Sequence, residues 1–454
     1  MLNYESALAY INSFINYEKS PDFSRQARLY NLNRISHLLN LLGNPHRKLK
    51  VIHIGGSKGK GSTAAIIASI LTHAGYKTGA FTSPHFITPR ERCCVDAKLI
   101  SKDEFADYLN KMKPAIEAVA GMNAVGAVSF FEIYTALAFC YFADKAVDFS
   151  VVEVGLGGRL DATNVLQPLV TVITPVSLEH TAILGDTLEA IAKEKAEIIK
   201  HGRPLVLAPQ EPESETVFES VAAARYAGID RVGHDISFKR HSWNIRGQTL
   251  EVNTPTESYP NLFLPLLGKH QAENAATALA CVERIKSEGH FVPKGCVYDG
   301  LEAVRVPGRV QVVSITQNKA SDEAPLILLD GAHSPTSAAA LCETIQEVIR
   351  YERLILIAGL MKDKDIRAIG RILCPIADII IATQAFDNPR VMPAGEVVKV
   401  WSDFNPEIRS ENCVGEAIQF ALSVSTPSDL ICITGSIYLV GAALSELGID
   451  IHEL

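Results

Sequence analysis

The chain has 454 residues, 47% of them hydrophobic and 21% charged, with a formal net charge of −8. That length predicts two or three domains, each with its own core. The acidic balance excludes nucleic acid as the main partner, because phosphate-backbone binders are usually basic, and no apolar run is long enough to span a bilayer.

The first fifty residues pattern as helix, with Leu38, Leu39, Leu41 and Leu42 near the end and Gly43-Asn44-Pro45 as the stop. From residue 50 the pattern alternates. Strands are expected at 50–54, 78–82, 148–154 and 169–174, and helices at 62–74, 102–119, 130–144 and 187–200. Such alternation predicts an α/β fold with a mainly parallel sheet covered on both faces. The segment 230–265 changes character. Its short alternating runs around Gly247-Gln248 predict a β-hairpin attached to the main sheet, followed by an alanine-rich helix over 271–287. Val306-Pro307-Gly308-Arg309 breaks both regular structures and marks a boundary between 1–305 and 306–454. Beyond it, strands at 326–330, 353–359, 378–383 and 430–434 alternate with helices in a smaller α/β unit. Nine scattered cysteines without a CxxC pair predict reduced thiols, and Met1 to Lys19 lacks a basic start followed by an apolar run. Both point to a cytoplasmic protein.

The richest stretch in chemistry is Val-Ile-His-Ile-Gly-Gly-Ser-Lys-Gly-Lys-Gly-Ser-Thr, residues 51–63. An apolar strand ends in a glycine-rich loop that opens a helix. Loop amides and the helix N-terminus then face an anion, and a lysine adds a point charge. The strict P-loop spacing is not met, since Ile54 stands where the first glycine belongs and Gly61 follows Lys60, delaying the hydroxyl to Ser62.

Further along, Glu153 interrupts an otherwise apolar strand near its carboxyl end, where α/β sheets bind ligands. A buried carboxylate there needs a metal, a cation, or the loop amides of Gly155, Gly157 and Gly158. In the helix over 187–200 the apolar face runs through Leu188, Ala192 and Ile199, and Lys195 falls on it. An inward lysine finds an anion, loses its proton, is chemically modified, or snorkels to the surface. His180 sits beside Glu179 after a strand, and Ser83 ends another strand before Pro84. From the pattern alone, His180 reads first as an ordinary packed or solvated histidine and Ser83 as a turn-capping serine. Asp330 ends a strand before Gly331 and suits a ribose hydroxyl or a reacting amine, or else an N-cap for the helix near Pro335. Arg309 stands where it can reach a phosphate across a cleft, or else it is an ordinary surface arginine. Thr434-Gly435-Ser436 reads as a tight turn.

Several blocks together carry a family resemblance: GGSKGKGST at 55–63, SPH at 83–85, FFEIYTALAF at 130–139, EVGLGGRLDATNV at 153–165, LEHTAILGDTLEAIAKEKAEIIK at 178–200, GKHQAENAATAL at 268–279, PGR at 307–309, DGAHSP at 330–335 and DKD at 363–365. In this order the chain resembles folylpolyglutamate synthase / dihydrofolate synthase, of the Mur ligase superfamily. The resemblance implies a P-loop-type N-terminal domain, a Rossmann-like C-terminal domain, and ATP-dependent joining of L-glutamate to a folate or dihydropteroate carboxylate. It implies that Gly56, Gly59, Lys60, Gly61, Ser62 and Thr63 form the ATP loop. Two magnesium ions are implied at Ser62, Ser83, Glu153 and His180. The resemblance also implies a carbamylated Lys195, and nucleotide contacts from Asn274, Arg309, Asp330 and His333. Lys60, Glu153, His180 and Lys195 are the implied catalytic set. The implied partners are small molecules, with no nucleic acid or membrane, and the chain is expected to be a monomer. Ser57-Lys58 replaces a common Thr-Asn, and Ser334 replaces an asparagine after Asp-Gly-Ala-His. Phe86, Phe130 and Phe131 are candidates for the pterin pocket. A cell-wall Mur ligase would share the loop, Glu153 and Lys195, but not the blocks at 130–139 and 153–165. A non-catalytic nucleotide switch would need the loop without the buried acid and the inward lysine.

Overall fold

A computed structural model of the chain describes residues 1–17, 31–122, 126–313, 324–385, 388–405 and 407–449. The main sheet has eight strands: β1 (Val51–Gly55), β2 (Thr78–Phe81), β3 (Cys93–Val95), β4 (Lys98–Leu99), β5 (Phe149–Glu153), β6 (Val170–Ile173), β7 (Leu205–Leu207) and β8 (Ile229–Arg231). They lie in the order β4-β3-β2-β5-β1-β6-β7-β8. The run from β2 to β8 is parallel, and β3 and β4 add an antiparallel edge. Every residue of β1 and β5 is buried. That burial requires cover on both faces, which explains why these strands read as apolar runs rather than as alternation. The helices Lys60–His73, Lys269–Ser287 and Lys294–Ala303 pack on one face, and Asn33–Leu41, Lys102–Ala120 and Phe130–Asp144 on the other.

A second, antiparallel sheet comprises β9 (Ser237–Asn244), β10 (Gly247–Asn253) and β11 (Ser258–Leu264). The expected hairpin exists, but it does not pair with the main sheet. Leu250, Val252, Leu262 and Leu264 point into the core shared with the helix Lys269–Ser287. Alternation announces one buried face; it does not say which backbone the strand pairs with.

The third sheet holds β12 (Gln311–Val313), β13 (Leu326–Leu329), β14 (Leu354–Ala358), β15 (Ile379–Ala382), β16 (Ile408–Ser410) and β17 (Leu430–Thr434), in the order β12-β13-β17-β14-β15-β16. All its pairs are parallel except β12 with β13, and apolar clusters cover both faces. The four strands expected beyond residue 310 are present. Apart from β11, a third strand beside the expected hairpin, those not expected from the pattern (β3, β4, β7, β8, β12, β16) have two or three residues each, too few to show a period.

Two helix expectations change. The described part of the first fifty residues holds two helices, Tyr4–Asn12 and Asn33–Leu41, with 18–30 outside the described residues. The helix expected over 187–200 stops at Ala196. Among the described residues no helix is long and apolar enough to cross a membrane.

Candidate active site

β1 lies between β5 and β6, so the loop after it opens at the carboxyl ends of three buried strands. Two glycines fix its path. Gly56 has φ +135, and a Cβ there would lie 2.0 Å from Thr174 Oγ1 and 2.7 Å from the Thr174 carbonyl oxygen. Gly59 has φ +85, and its Cβ would lie 2.2 Å from Asn274 Oδ1. The loop rests on Pro175, whose carbonyl accepts from the amides of Ser57 and Lys58 at 2.9 and 3.2 Å. The helix Lys60–His73 then begins with no side-chain cap. Its first amides have no intrahelical acceptor, and the helix dipole adds positive potential there. Ser62 and Thr63 are buried in this first turn.

We expect Gly56→Ala to destabilise the protein by about 2–4 kcal/mol, because the backbone angle and the Thr174 carbonyl both oppose a side chain. Urea unfolding measures this, and a shift below about 0.5 kcal/mol, the size of a neutral surface change, refutes it.

Three lysines surround one carboxylate beside this loop. Lys195, 2% exposed, donates to the Gly56 carbonyl at 2.8 Å and pairs with Glu179 at 3.4 Å. Lys58 pairs with the other Glu179 oxygen at 3.2 Å. Lys60 donates to the carbonyls of Gly56 at 3.1 Å and Ser57 at 3.4 Å. Burial pushes the Lys195 amine down to about 8, against the pull of Glu179. Burial alone would raise the Glu179 carboxyl, but Lys195, Lys58 and Lys60 hold it far below the usual range. The cluster therefore carries excess positive charge, as a polyanion site requires.

Glu153 is 5% exposed and accepts the Ser83 amide at 3.2 Å. It lies close to the helix start, since a Cβ on Gly61 would be 3.5 Å from its Oε2. Burial raises its pKa, opposed by Lys60, the Ser83 amide and Arg309. The glycine-loop amides near residue 155 serve a different acid: Asp161 accepts from Leu156 at 2.9 Å and Thr163 at 2.9 Å. Glu153 thus keeps oxygen lone pairs for a cation. A carboxylate with hydroxyls at Ser62 and Ser83 and an imidazole at His180 is a donor set that suits magnesium bound together with phosphates. No three His, Cys, Asp or Glu side chains converge among the described residues, and magnesium held largely by water and phosphate needs no such cage. His180 lines the cleft and is kept neutral, burial lowering its pKa to about 4.

Behind the loop, His53 on β1 is fully buried. Its Nε2 lies 2.8 Å from Thr163 Oγ1, and that hydroxyl donates to Asp161 at 2.5 Å. Burial, then Lys200, lowers the His53 pKa to about 3. The unfolded chain therefore binds this proton more readily between about pH 3 and 6.5. The stability held by neutral His53 is complete above pH 6.5 and is lost as pH falls. We expect His53→Gln to flatten the acid slope by up to ~1.4 kcal/mol per pH unit. Urea midpoints at pH 6.5 and 5 test this; equal slopes in variant and wild type refute it.

The third sheet brings its own residues to the same gap. Asp330 accepts the amides of Val310 at 2.9 Å and Ala332 at 2.8 Å, so it braces the turn at Gly331. It is not the N-cap of the helix Pro335–Val348; Ser334 is. Arg309 Nη1 would lie 3.4 Å from a Cβ on Gly331. His333 holds the Gly331 carbonyl through Nδ1 at 2.7 Å, and burial, with Lys58 and Lys364, keeps it neutral. Asn274, 4% exposed, takes the Gln271 oxygen at 3.0 Å and backs Gly59.

Between the sheets lies a cleft of about 550 Å³. Ser83, Gly155–Asp161 and His180–Leu184 line one wall; His333, Lys364, Arg390 and Ser436 line the other. Lys364 and Arg390 share Asp363, at 3.4 and 2.7 Å. Of the three candidate pterin-pocket aromatics, Phe131 lines this cleft. Phe130 lies in the core beneath Arg92, 5.3 Å from its guanidinium, and Phe86 packs on the third-sheet unit. Glu179, Arg390 and Ser436 went unassigned in the sequence. Asn388-Pro389-Arg390 and the acid beside His180 were the available signals.

Comparison with known proteins gives the family and the fold. Residues 106–282 match the Mur ligase middle domain, and residues 308–437 match the Mur ligase, glutamate ligase domain. The chain is 35% identical to the dihydrofolate synthase/folylpolyglutamate synthase of Bacillus subtilis, covering 96% of this chain and 97% of that one. It is 33% identical to the folylpolyglutamate synthase of Lacticaseibacillus casei, covering 98% and 99%. Among solved structures, Mycobacterium tuberculosis folylpolyglutamate synthase complexed with ADP and AMPPCP superposes with a TM-score of 0.86 at 34% identity, covering 93% and 96%. E. coli FolC in complex with DHPP and ADP gives 0.84 at 28% identity, covering 98% of each chain.

Proposed function

We propose, from the premise that this chain belongs to the dihydrofolate synthase/folylpolyglutamate synthase family of Mur ligases, a mechanism by which its residues perform that family's reaction. The chain is an ATP-dependent ligase that joins glutamate to a folate. In our reading the acid is dihydropteroate, a folate, or both in turn. Its carboxylate attacks the ATP γ-phosphorus, giving an acyl phosphate and ADP. The amine of L-glutamate then attacks the acyl carbon and releases phosphate.

The observation that carries this reading is the excess of lysine charge around Glu179 at an uncapped helix start, beside buried Glu153, which holds the amide of cleft-lining Ser83. Lys60 and the loop amides of Gly61 and Ser62 take the phosphates. Asn274, Arg309, Asp330 and His333 take the rest of the nucleotide, Asp330 after exchanging a backbone partner. Glu153, Ser62, Ser83 and His180 would hold magnesium, which would offset charge on the transferring phosphoryl group. Lys195 fits a carbamate. Its lowered pKa supplies the neutral amine that attacks CO2, the N–C bond forms, and a proton leaves. Glu179 then stays with Lys58 while the new carboxylate turns to the cations.

Phe131, Leu156 and Leu184 offer an apolar wall for the flat pterin, and Lys364 and Arg390 offer charge for glutamate carboxylates. Residues 1–305 and 306–454 act as two lobes whose approach keeps water from the acyl phosphate. ADP release measured with and without glutamate and a pterin acid tests the function. ADP formation must require the acid, and mass spectrometry must find the glutamate adduct. ADP formation independent of the acid refutes the reading.

A further inference from the structure

The segment Ser83–Arg92 belongs to the first unit, but at Phe86 it packs against the apolar cluster of the other. Phe86 is packed against the apolar cluster of the third sheet, with Leu439 and Val440. Two glycines admit it. A Cβ on Gly308 would lie 2.5 Å from Phe86 Cε1, and a Cβ on Gly441 would lie 2.1 Å from the Phe86 carbonyl oxygen. Ring and backbone are thus both seated in notches where a side chain is missing.

The segment is stiff. One carboxylate, Glu91, accepts the amides of Phe86 at 2.7 Å, Ile87 at 2.8 Å and Thr88 at 2.6 Å. At one root the Ser83 amide holds Glu153, and at the other the buried Arg92 lies over Tyr134 and donates to His85 Nδ1 at 2.9 Å. The far side of the contact is equally connected. Gly308 precedes Arg309, and Gly441 lies in the helix Ile437–Glu446, whose cap Ser436 lines the cleft.

We propose that Phe86 is a positioning residue for ligation: seated between Gly308 and Gly441, it holds Arg309 and Ser436 in register with Glu153 and Ser83. This rests on the ligase reading above. Without the seat, the two walls of the cleft lose register after phosphoryl transfer. Water then attacks the acyl carbon, restoring the carboxylate and releasing phosphate, so ATP is consumed without an amide.

The test uses the full chain as wild type, Phe86→Ala, Phe86→Leu and Gly441→Ala. Phe86→Ala is expected to lower kcat at least tenfold and to raise phosphate released per glutamate adduct at least threefold. Amide hydrogen exchange should rise at 308–310 and 437–441 but not in β14. Phe86→Leu should restore coupling. Gly441→Ala should uncouple in the same way, and it carries the test if Phe86→Ala fails to fold. Wild-type kcat and a phosphate-to-adduct ratio near one in both disruptive variants overturn the proposal. If the wild type forms no adduct, the ligase reading falls, and the exchange comparison still judges the seat: unchanged protection overturns it.

Discussion

Lys60→Ala is expected to lower ATP-dependent ligation by ~10³-fold or more in kcat/KM, about 4 kcal/mol of transition-state stabilisation. Lys60 opens the helix Lys60–His73 and reaches back over the loop to the Gly56 and Ser57 carbonyls. Those are dipole contacts, which a phosphate oxygen outcompetes. Glu179 is taken by Lys58 and Lys195, so the Lys60 charge is free for the nucleotide. Charge accumulates on the equatorial oxygens as the phosphoryl group moves, and a fixed cation in a half-dry site is worth most at that moment. The fold should persist, because the variant loses two half-buried hydrogen bonds of modest net value. ADP release by purified protein, checked against an unchanged unfolding curve, decides the matter. Release within tenfold of wild type removes the loop from the mechanism.

Lys195→Ala is expected to cost ~10²–10³-fold in kcat, or roughly 3–4 kcal/mol. Short carboxylic acids such as acetate should restore part of it. The side chain is almost fully buried, and its amine is brought down to about 8 by burial. An ordinary structural lysine would gain nothing from an added carboxylate. A carbamate would, because the acid fills the cavity with the missing anion among cations. Intact-mass measurement of wild type in bicarbonate should show one added CO2 that is absent from the variant. A variant with normal activity, or a loss that no acid repairs together with no CO2 adduct, rejects the carbamate. Loss of Lys195 also leaves Glu179 with Lys58 as its remaining described ion pair, so a stability drop of ~1–3 kcal/mol accompanies the loss of rate.

Much of the site was legible from local pattern. Glu153 stood out because a strand buried on both faces has no ordinary place for a carboxylate, and it is indeed buried at the end of β5. Lys195 stood out because helical spacing put it on the apolar face, and its amine is inside, against Gly56. The partner of each was not legible. Glu153 takes the amide of Ser83, seventy positions earlier, while the nearby loop amides go to Asp161. The hairpin around Gly247 showed its alternation but not its attachment, because the buried face packs on a helix rather than pairing with β8.

The amino-acid order by itself determined most of the alternating strands and helices, the glycine loop before Lys60, and that Glu153 and Lys195 are carried into the interior. Those are consequences of period and backbone freedom, set within ten or so neighbouring residues. Only the tertiary structure decided that Glu179 serves both Lys58 and Lys195, that Phe131 rather than Phe86 or Phe130 borders the cleft, and that Phe86 is seated between Gly308 and Gly441. Each of those depends on surfaces far apart along the chain meeting at a few ångströms. Packing of whole elements settles such meetings, and no local pattern encodes them.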